Sequence, residues 1–235
     1  MLKTIFFDLD DTLLDFARAE RAALTKALTE MHVPAGNAVL DRYHEINAAQ
    51  WALLEEGKVT RPQLLTRRFE LLFTELGLDR DARETCERYE GHLAEGHLFI
   101  PGAPELLAAL APQYDLYIVS NGAAAVQHRR LDSAGIKPYF KGIFISETIG
   151  FDKPSPAFFQ AVFAAIPGFS REAALLVGDS LTSDIRGGLN AGIRTCWFDP
   201  HGAPRRPDIA PDYRVTALSQ LPELLHAIDN GIPST

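Results

Sequence analysis

Residues 4–13 read Thr-Ile-Phe-Phe-Asp-Leu-Asp-Asp-Thr-Leu, an apolar, β-prone run that ends in carboxylates. The pattern predicts a buried parallel strand that meets solvent at Asp8. In an open α/β sheet, ligands bind at this end of the strands. Asp8 can then act as a carboxylate nucleophile, while Asp10 protonates a leaving oxygen and later deprotonates water. Taken alone, the stretch is also compatible with a solvated, Asp-rich turn after an edge strand.

A second strand-like run, residues 116–119, leads into Ser120, Asn121 and Gly122. Such a turn can offer a hydroxyl and backbone N–H groups to a phosphate. An ordinary strand-to-helix turn with an N-cap has the same composition, and in isolation that interpretation is the more frequent one. A phosphate-binding role for this turn is therefore favoured only in combination with the other segments.

Lys153 lies in the third segment, Asp-Lys-Pro-Ser-Pro at residues 152–156. The prolines restrict the backbone on both sides of Ser155, and Pro156 can begin a helix. A lysine held at such a place can neutralise phosphate charge and orient a carboxylate nucleophile. Without that context, a lysine is most often a solvated surface residue.

The fourth segment, residues 174–184, reads Ala-Leu-Leu-Val-Gly-Asp-Ser-Leu-Thr-Ser-Asp. An apolar strand here leads into Asp179 and, about one helical turn later, into Asp184. Mg²⁺ prefers oxygen ligands and commonly takes one or two protein carboxylates besides water and substrate. Asp179 can therefore join Asp8 as a metal ligand, with Asp184 in direct contact with the ion or linked to it through water. The same string would serve equally well as a helix-capping sequence.

The order of the four segments resembles the haloacid dehalogenase superfamily of phosphohydrolases, and all four of its motifs have a counterpart here. The resemblance implies a doubly wound, parallel-sheet (Rossmann-like) α/β core with an inserted helical cap. It also implies a nucleophile at Asp8, a general acid/base at Asp10 and Mg²⁺ as cofactor. The implied phosphate contacts are Thr12, Ser120, Asn121 and Lys153, and the implied metal contacts are Asp8, the Asp10 carbonyl, Asp179 and Asp184. Dehalogenating members lack an aspartate at the position of Asp10, which argues for a phosphatase or phosphomutase instead.

The composition predicts a single enzyme of a reducing compartment. A chain of 235 residues, 46% hydrophobic, suits a core that carries an inserted lobe. The formal net charge of −8 argues against a surface for polymeric nucleic acid, and Arg205 and Arg206 are interpreted as a solvated pair. Cys86 and Cys196 form no disulfide framework, and no leader peptide or membrane-spanning run is recognisable. We therefore expect a cytoplasmic enzyme with a small phosphorylated substrate, and the oligomeric state is left open.

Periodicity divides the chain into a core, residues 1–14 and 98–235, and a helical cap, residues 15–97. The predicted cap helices cover residues 17–31, 38–56, 61–76 and 79–96. In the core, predicted strands at residues 143–146, 174–178, 194–198 and 213–215 alternate with helices, the rhythm of a doubly wound sheet. A lobe inserted directly after the nucleophile strand can close over a site, exclude water and set specificity.

The cap resembles the pyrimidine 5′-nucleotidase branch of the superfamily. The matching positions are residues 43–47, Trp51, Gly57, Thr60 and residues 67–69, and the segment 179–197 is similar as well. Asn47 can read a base edge, Trp51 can stack on a base, and Arg68 can meet a phosphate or a carbonyl. Core packing for Trp51, a structural hydrogen bond for Asn47 and a surface ion pair for Arg68 are equally compatible with the sequence.

Together these features predict hydrolysis of pyrimidine nucleoside 5′-monophosphates, including noncanonical ones. The reaction would pass through an aspartyl-phosphate on Asp8. Three alternatives stay open. One is a phosphatase for another small metabolite, such as phosphoglycolate or a sugar phosphate. Another is a β-phosphoglucomutase-like isomerase, which uses the same two aspartates but returns the phosphoryl group to a sugar. The last, a non-catalytic phospholigand-binding module, is disfavoured by the complete catalytic set.

Overall fold

The computed structural model describes residues 1–204 and 206–231, and Arg205 of the predicted solvated pair lies outside them. The strands are β1 Thr4–Phe7, β2 Asp115–Ser120, β3 Gly142–Ile145, β4 Ala174–Gly178, β5 Arg194–Phe198 and β6 Tyr213–Val215. They form one parallel sheet in the order β3-β2-β1-β4-β5-β6. Because the strand order reverses at β1, the sheet is doubly wound, and the predicted fold class is confirmed.

Helices of the core cover both faces of this sheet, as crossover connections between parallel strands require. In chain order the helices of the protein are α1 Phe16–Glu30, α2 Asn37–Glu55, α3 Arg61–Leu76, α4 Ala82–Leu93, α5 Ala103–Leu110, α6 Ala124–Ser133, α7 Ser146–Ile149, α8 Pro156–Ala164, α9 Arg186–Ala191 and α10 Leu221–Asp229. Ile5 and Phe7 of β1 join an apolar cluster with α5 and α10, whereas Phe6 joins a cluster with α8 on the opposite face. Burial of these alternating side chains is the main driving force for folding of the core.

The register places three strand ends side by side. Phe7 in β1 pairs with Ile118 in β2 and with Val177 in β4. The N–H of Asp8 continues the ladder and donates to Val177 O at 2.9 Å. The segments that follow β1, β2 and β4 therefore begin at the same edge of the sheet, which is where the predicted catalytic motifs lie.

The chain forms two compact units, Met1–Phe16 together with the chain from His97 onward, and Ala17–Gly96. The first unit contains the sheet, and the second contains α2, α3, α4 and most of α1. Catalysis and specificity, the roles predicted for a core and a cap, stay predictions. Within the described part of the chain, every helix is too short or too polar to cross a bilayer.

The helical unit, called the cap below, has an aromatic core. Tyr43, Phe69 and Tyr89 are fully buried, and their ring centroids lie 5.0 to 5.7 Å apart. The helices match the predicted ones with small shifts at their ends. The last of them, α4, begins later than predicted because Asp81 caps it and accepts from the Glu84 N–H at 2.9 Å.

Candidate active site

Lys153 is the central cation of the predicted site. Its Nζ donates to Asp8 Oδ1 at 2.6 Å, to Asp184 Oδ1 at 2.6 Å and to Val119 O at 2.9 Å. The side chain is only 2% exposed, and each of its three N–H donors has an acceptor. Burial alone would lower the pKa of Lys153, but the two carboxylates outweigh burial and raise that pKa above its ordinary value. The ammonium group therefore stays charged.

Asn121 ties the second motif to the third. Its Nδ2 donates to Lys153 O at 2.9 Å, and its Oδ1 accepts from Lys153 N at 2.8 Å. The side-chain amide thus satisfies the backbone of the lysine segment in the way that a neighbouring strand would. The structure gives Asn121 this holding role, and its predicted phosphate contact stays a prediction.

Three carboxylates converge beside the lysine. Oxygen atoms of Asp8, Asp179 and Asp184 all lie within 4.8 Å of one another. Removal from bulk water raises the pKa of Asp8 to about 8 against the opposing effect of Lys153. The same removal, reinforced by the charges of Asp8 and Asp184, raises the pKa of Asp179 well above its ordinary value. A single lysine does not balance three carboxylates, so this all-oxygen set fits a further cation of the Mg²⁺ type.

The turn after β4 is shaped around one of these carboxylates. Asp184 lies in the π-helical turn Leu181–Ile185, and its Oδ2 accepts from the Ser180 N–H at 3.1 Å. The carboxylate packs directly against Gly178, where a Cβ atom would lie 2.4 Å from Asp184 Cγ. The position therefore requires glycine for close approach rather than for an unusual backbone angle.

Asp179 is held from two directions. Trp197 Nε1 donates to Asp179 O at 2.8 Å, and Thr12 Oγ1 donates to Asp179 Oδ1 at 3.2 Å. Thr12 thus forms a hydrogen bond with Asp179, a predicted metal ligand. The predicted contact between Thr12 and phosphate stays a prediction. The sequence does not predict this role of Trp197, because an aromatic residue in a strand usually indicates packing alone.

Asp10 makes its contacts with α6. Gln127 Nε2 donates to Asp10 Oδ2 at 2.6 Å and to Ser120 Oγ at 2.9 Å. Arg130 forms an ion pair with Asp10 Oδ1 and donates to Gln127 Oε1 at 3.0 Å. Both α6 residues are buried, although the sequence of residues 127–130, Gln-His-Arg-Arg, is typical of a solvated helix face and predicts neither contact. Their i, i+3 spacing directly after the Ser120 turn is the signal that could have revealed them.

The predicted substrate residues of the cap contact one another. Asn47 Oδ1 accepts from Trp51 Nε1 and from Arg68 Nη1, both at 3.1 Å, and Asn47 Nδ2 donates to Glu20 Oε1 at 2.7 Å. Asn47 and Arg68 are buried, and Arg68 Nη2 lies 3.7 Å from Glu90 Oε1, so the ion pair is present but its arginine is not at the surface. Trp51 is half-buried, and the Arg61 guanidinium lies 5.4 Å from its ring centroid. The structure thus brings the three residues together inside the cap.

A family model described as haloacid dehalogenase-like hydrolase matches residues 2–192 of the chain. The chain belongs to that family. This haloacid dehalogenase-like (HAD) hydrolase is 41% identical over 231 residues to pyrimidine 5′-nucleotidase PynA of Streptococcus pneumoniae, with 98% of this chain and 96% of the relative covered. It is 33% identical over 221 residues to pyrimidine 5′-nucleotidase YjjG of Escherichia coli, with 94% and 96% covered.

The solved structures include a similar one of HAD-hydrolase YfnB from Bacillus subtilis, which is described as bound to magnesium. It matches this HAD hydrolase with a TM-score of 0.92 at 43% identity, and the match covers 95% of this chain and 98% of that one. Full-length relatives and the family model agree with the prediction from the motifs. The protein is a phosphatase, a phosphoric monoester hydrolase of the HAD family.

Proposed function

We propose that this HAD hydrolase releases phosphate from pyrimidine nucleoside 5′-monophosphates and uses Mg²⁺ as cofactor. The observation that carries the chemistry is the buried Lys153 ammonium between Asp8 and Asp184. It places a positive charge that can bind phosphate in direct contact with the proposed nucleophile, Asp8. The names of two full-length relatives, both pyrimidine 5′-nucleotidases, support the substrate class. The free, buried Cys86 and Cys196 suit the cytoplasmic location that the sequence predicts.

Asp8 is the proposed nucleophile, which attacks phosphorus in line and forms an aspartyl-phosphate. Lys153 offsets the repulsion between this carboxylate and the phosphate dianion, and the Ser120 hydroxyl donates to a phosphate oxygen. Mg²⁺, when bound, would supply further positive charge at the phosphate. The residues proposed to hold it are Asp8, Asp179, Asp184 and the Asp10 carbonyl.

Asp10 is the proposed general acid and base. It gives its proton to the departing 5′-oxygen, so that the nucleoside leaves as a neutral alcohol. It then takes a proton from the water that attacks phosphorus in the aspartyl-phosphate. The bond between phosphorus and the Asp8 oxygen breaks, inorganic phosphate is released, and both aspartates return to their starting states.

Asn47, Trp51 and Arg68 are the proposed specificity residues of the cap. Their mutual hydrogen bonds support this role, because they fix the orientation of the Trp51 ring, the most exposed side chain of the three. A rigid aromatic face suits stacking on a pyrimidine. Asn47 and Arg68 would act by holding that face in place.

The test is phosphate release with Mg²⁺ from pyrimidine and purine monophosphates, sugar phosphates and phosphoglycolate, with Asp8→Asn as the inactive control. Fastest turnover of pyrimidine nucleotides and an inactive control would support the proposal. Faster turnover of phosphoglycolate or a sugar phosphate would retain the chemistry and refute the substrate class. An isomerised sugar phosphate formed without free phosphate would indicate a mutase instead.

A further inference from the structure

The side-chain amide of Gln127 connects two residues that the proposed reaction uses. An amide nitrogen carries two N–H donors, and Gln127 directs one to Asp10 Oδ2 at 2.6 Å and the other to Ser120 Oγ at 2.9 Å. Its oxygen accepts from Arg130 Nη1 at 3.0 Å, which determines the orientation of the amide. Because Arg130 also contacts Asp10 Oδ1, both carboxylate oxygens of Asp10 have a donor from α6.

These contacts also decide where the Ser120 hydroxyl can direct its proton. The Ser120 oxygen accepts from the Gly122 N–H at 3.1 Å and from Gln127 at 2.9 Å. A hydroxyl has two lone pairs and one proton, so two accepted bonds leave the proton as its available group. Ser120 is thereby set as a hydrogen-bond donor, which is what a phosphate oxygen requires.

The arrangement leaves little freedom to the amide. Gln127 is 1% exposed and Arg130 is fully buried, so an unpaired polar atom here would be costly. Gly122 packs against the amide, and a Cβ atom at this position would lie 2.4 Å from Gln127 Nε2. Any side chain at Gly122 would therefore displace Gln127.

We infer that Gln127 is a positioning residue of this phosphatase, braced by Arg130, which fixes the Asp10 carboxylate and sets Ser120 as a donor. The inference rests on the proposed function, in which Asp10 transfers protons and Ser120 binds phosphate. It assigns to α6 a part in catalysis that the four sequence motifs do not contain. Gln127 itself touches neither the phosphorus nor the leaving oxygen in this scheme.

The test uses Gln127→Met, which keeps the length of the side chain and removes its donors. Two substrates are compared in single turnovers with Mg²⁺. Thymidine 5′-monophosphate has an alkoxide leaving group that needs a proton, whereas the nitrophenolate of p-nitrophenyl phosphate leaves without one. We expect thymidine formation to slow by about 10- to 100-fold and nitrophenol formation by less than about threefold.

Equal slowing with the two substrates would show an effect on phosphate binding or on the fold alone and would overturn the inferred positioning of Asp10, and wild-type rates with both would overturn the whole inference. Gln113→Met is the matched control, because Gln113 is exposed and its Nε2 only donates to Ala109 O at 3.0 Å. Gly122→Ala should reproduce the selective loss by displacing the amide. If circular dichroism shows that Gln127→Met does not fold, the same comparison of the two substrates is made with Gly122→Ala, and the same outcomes support or overturn the inference.

Failure of the inference can be told apart from failure of the proposed function. If the wild type does not hydrolyse thymidine monophosphate, the substrate class is wrong, and the alkyl phosphate that it hydrolyses fastest replaces the nucleotide in the comparison. If Asp8→Asn keeps its activity, the mechanism and the inference are both overturned. If only the selective loss is missing, the inference alone is wrong.

Discussion

The active-site edge of the sheet and the interior of the cap both bury charged residues, but only the cap balances them internally. In the cap, Arg68 donates to Asn47 and Cys86. Its Nη2 also lies 3.7 Å from Glu90 Oε1, which supplies the opposite charge. At the sheet edge, among the residues that the structure describes, one lysine, Lys153, meets a cluster of three carboxylates. Pairing offsets the cost of burying the charges of the cap, whereas the excess of negative charge at the sheet edge suits a site for a charged ligand.

The largest effect that separates the two regions is expected from Asp8→Asn. Loss of the nucleophile should lower kcat by at least about 10³-fold, and Asp10→Asn should cost about 10²- to 10⁴-fold. The metal-free stability of Asp8→Asn should be unchanged or higher, because asparagine resembles the neutral acid favoured by burial. Phosphate release and urea unfolding of the purified variants measure both quantities. Near-normal activity in either variant would refute its assigned role.

Lys153→Met should be the most destabilising change at the sheet edge. It leaves the buried carboxylates of Asp8 and Asp184 without their cation, which costs about 3–5 kcal/mol for a buried ion pair broken on one side. Chemical denaturation without metal measures the loss. Lys141→Met, at an exposed lysine, is the control and should change stability by less than about 0.5 kcal/mol. Similar stability of the two variants would contradict the central role of Lys153.

A change in the cap should affect stability without affecting the chemistry. Asn47→Leu removes one hydrogen-bond partner each from Glu20, Trp51 and Arg68, and loss of these bonds inside the cap should cost about 1–3 kcal/mol. Turnover of saturating p-nitrophenyl phosphate by the folded variant should stay within about threefold, while the KM for nucleotides rises. A large fall in kcat for p-nitrophenyl phosphate would show that the cap network takes part in the chemistry.

The smallest expected effect is a pH dependence of Mg²⁺ binding. In the metal-free protein burial raises the pKa of Asp8 from 3.8 to about 8. The stability that the neutral acid contributes is therefore full below about pH 4 and is lost as the pH rises through about 8. Metal must displace this proton, so affinity for Mg²⁺ should rise below pH 8 by about tenfold per pH unit for Asp8, and more steeply where Asp179, whose pKa burial also raises, still holds its proton.

Calorimetric titrations between about pH 6 and pH 9 measure this dependence, in buffers of different ionisation enthalpy to count the protons released. Asp8→Asn, which has no proton to lose at this position, should bind Mg²⁺ more weakly and with a flatter pH profile. A wild-type affinity that does not change with pH would show that Asp8 is ionised before the metal binds.

The fold and the convergence of the motif residues could be predicted because their signals are local. Apolar runs that end in Asp8, Ser120 or Asp179 identify strand and strand end in one short stretch of sequence, and parallel pairing then brings these ends together. The aromatic and aliphatic composition of β1 and β4 needed no knowledge of the rest of the chain. The first and last residues of a helix depend on capping residues such as Asp81, and hydrophobic periodicity alone locates these residues less well.

The contacts that support the motifs could not be predicted in the same way. Whether Arg130 faces solvent or Asp10 depends on the angle at which α6 packs on the sheet, and its neighbours in sequence are polar. Likewise, Thr12 and Asn121 contact Asp179 and the Lys153 backbone, which are distant in sequence. Such roles are set by tertiary packing, which overrides the local composition.

The position of β1 in the middle of the sheet also has a consequence for synthesis on the ribosome. Its two neighbours, β2 and β4, both follow the cap in sequence, so β1 has no partner until Ser120 has been translated and lacks its second partner until Gly178. The helices of the cap, whose contacts are closer together along the chain, can fold during this interval. The strand that carries Asp8 therefore spends that time as an exposed apolar segment, and slow translation between residues 17 and 120 would extend its exposure to aggregation.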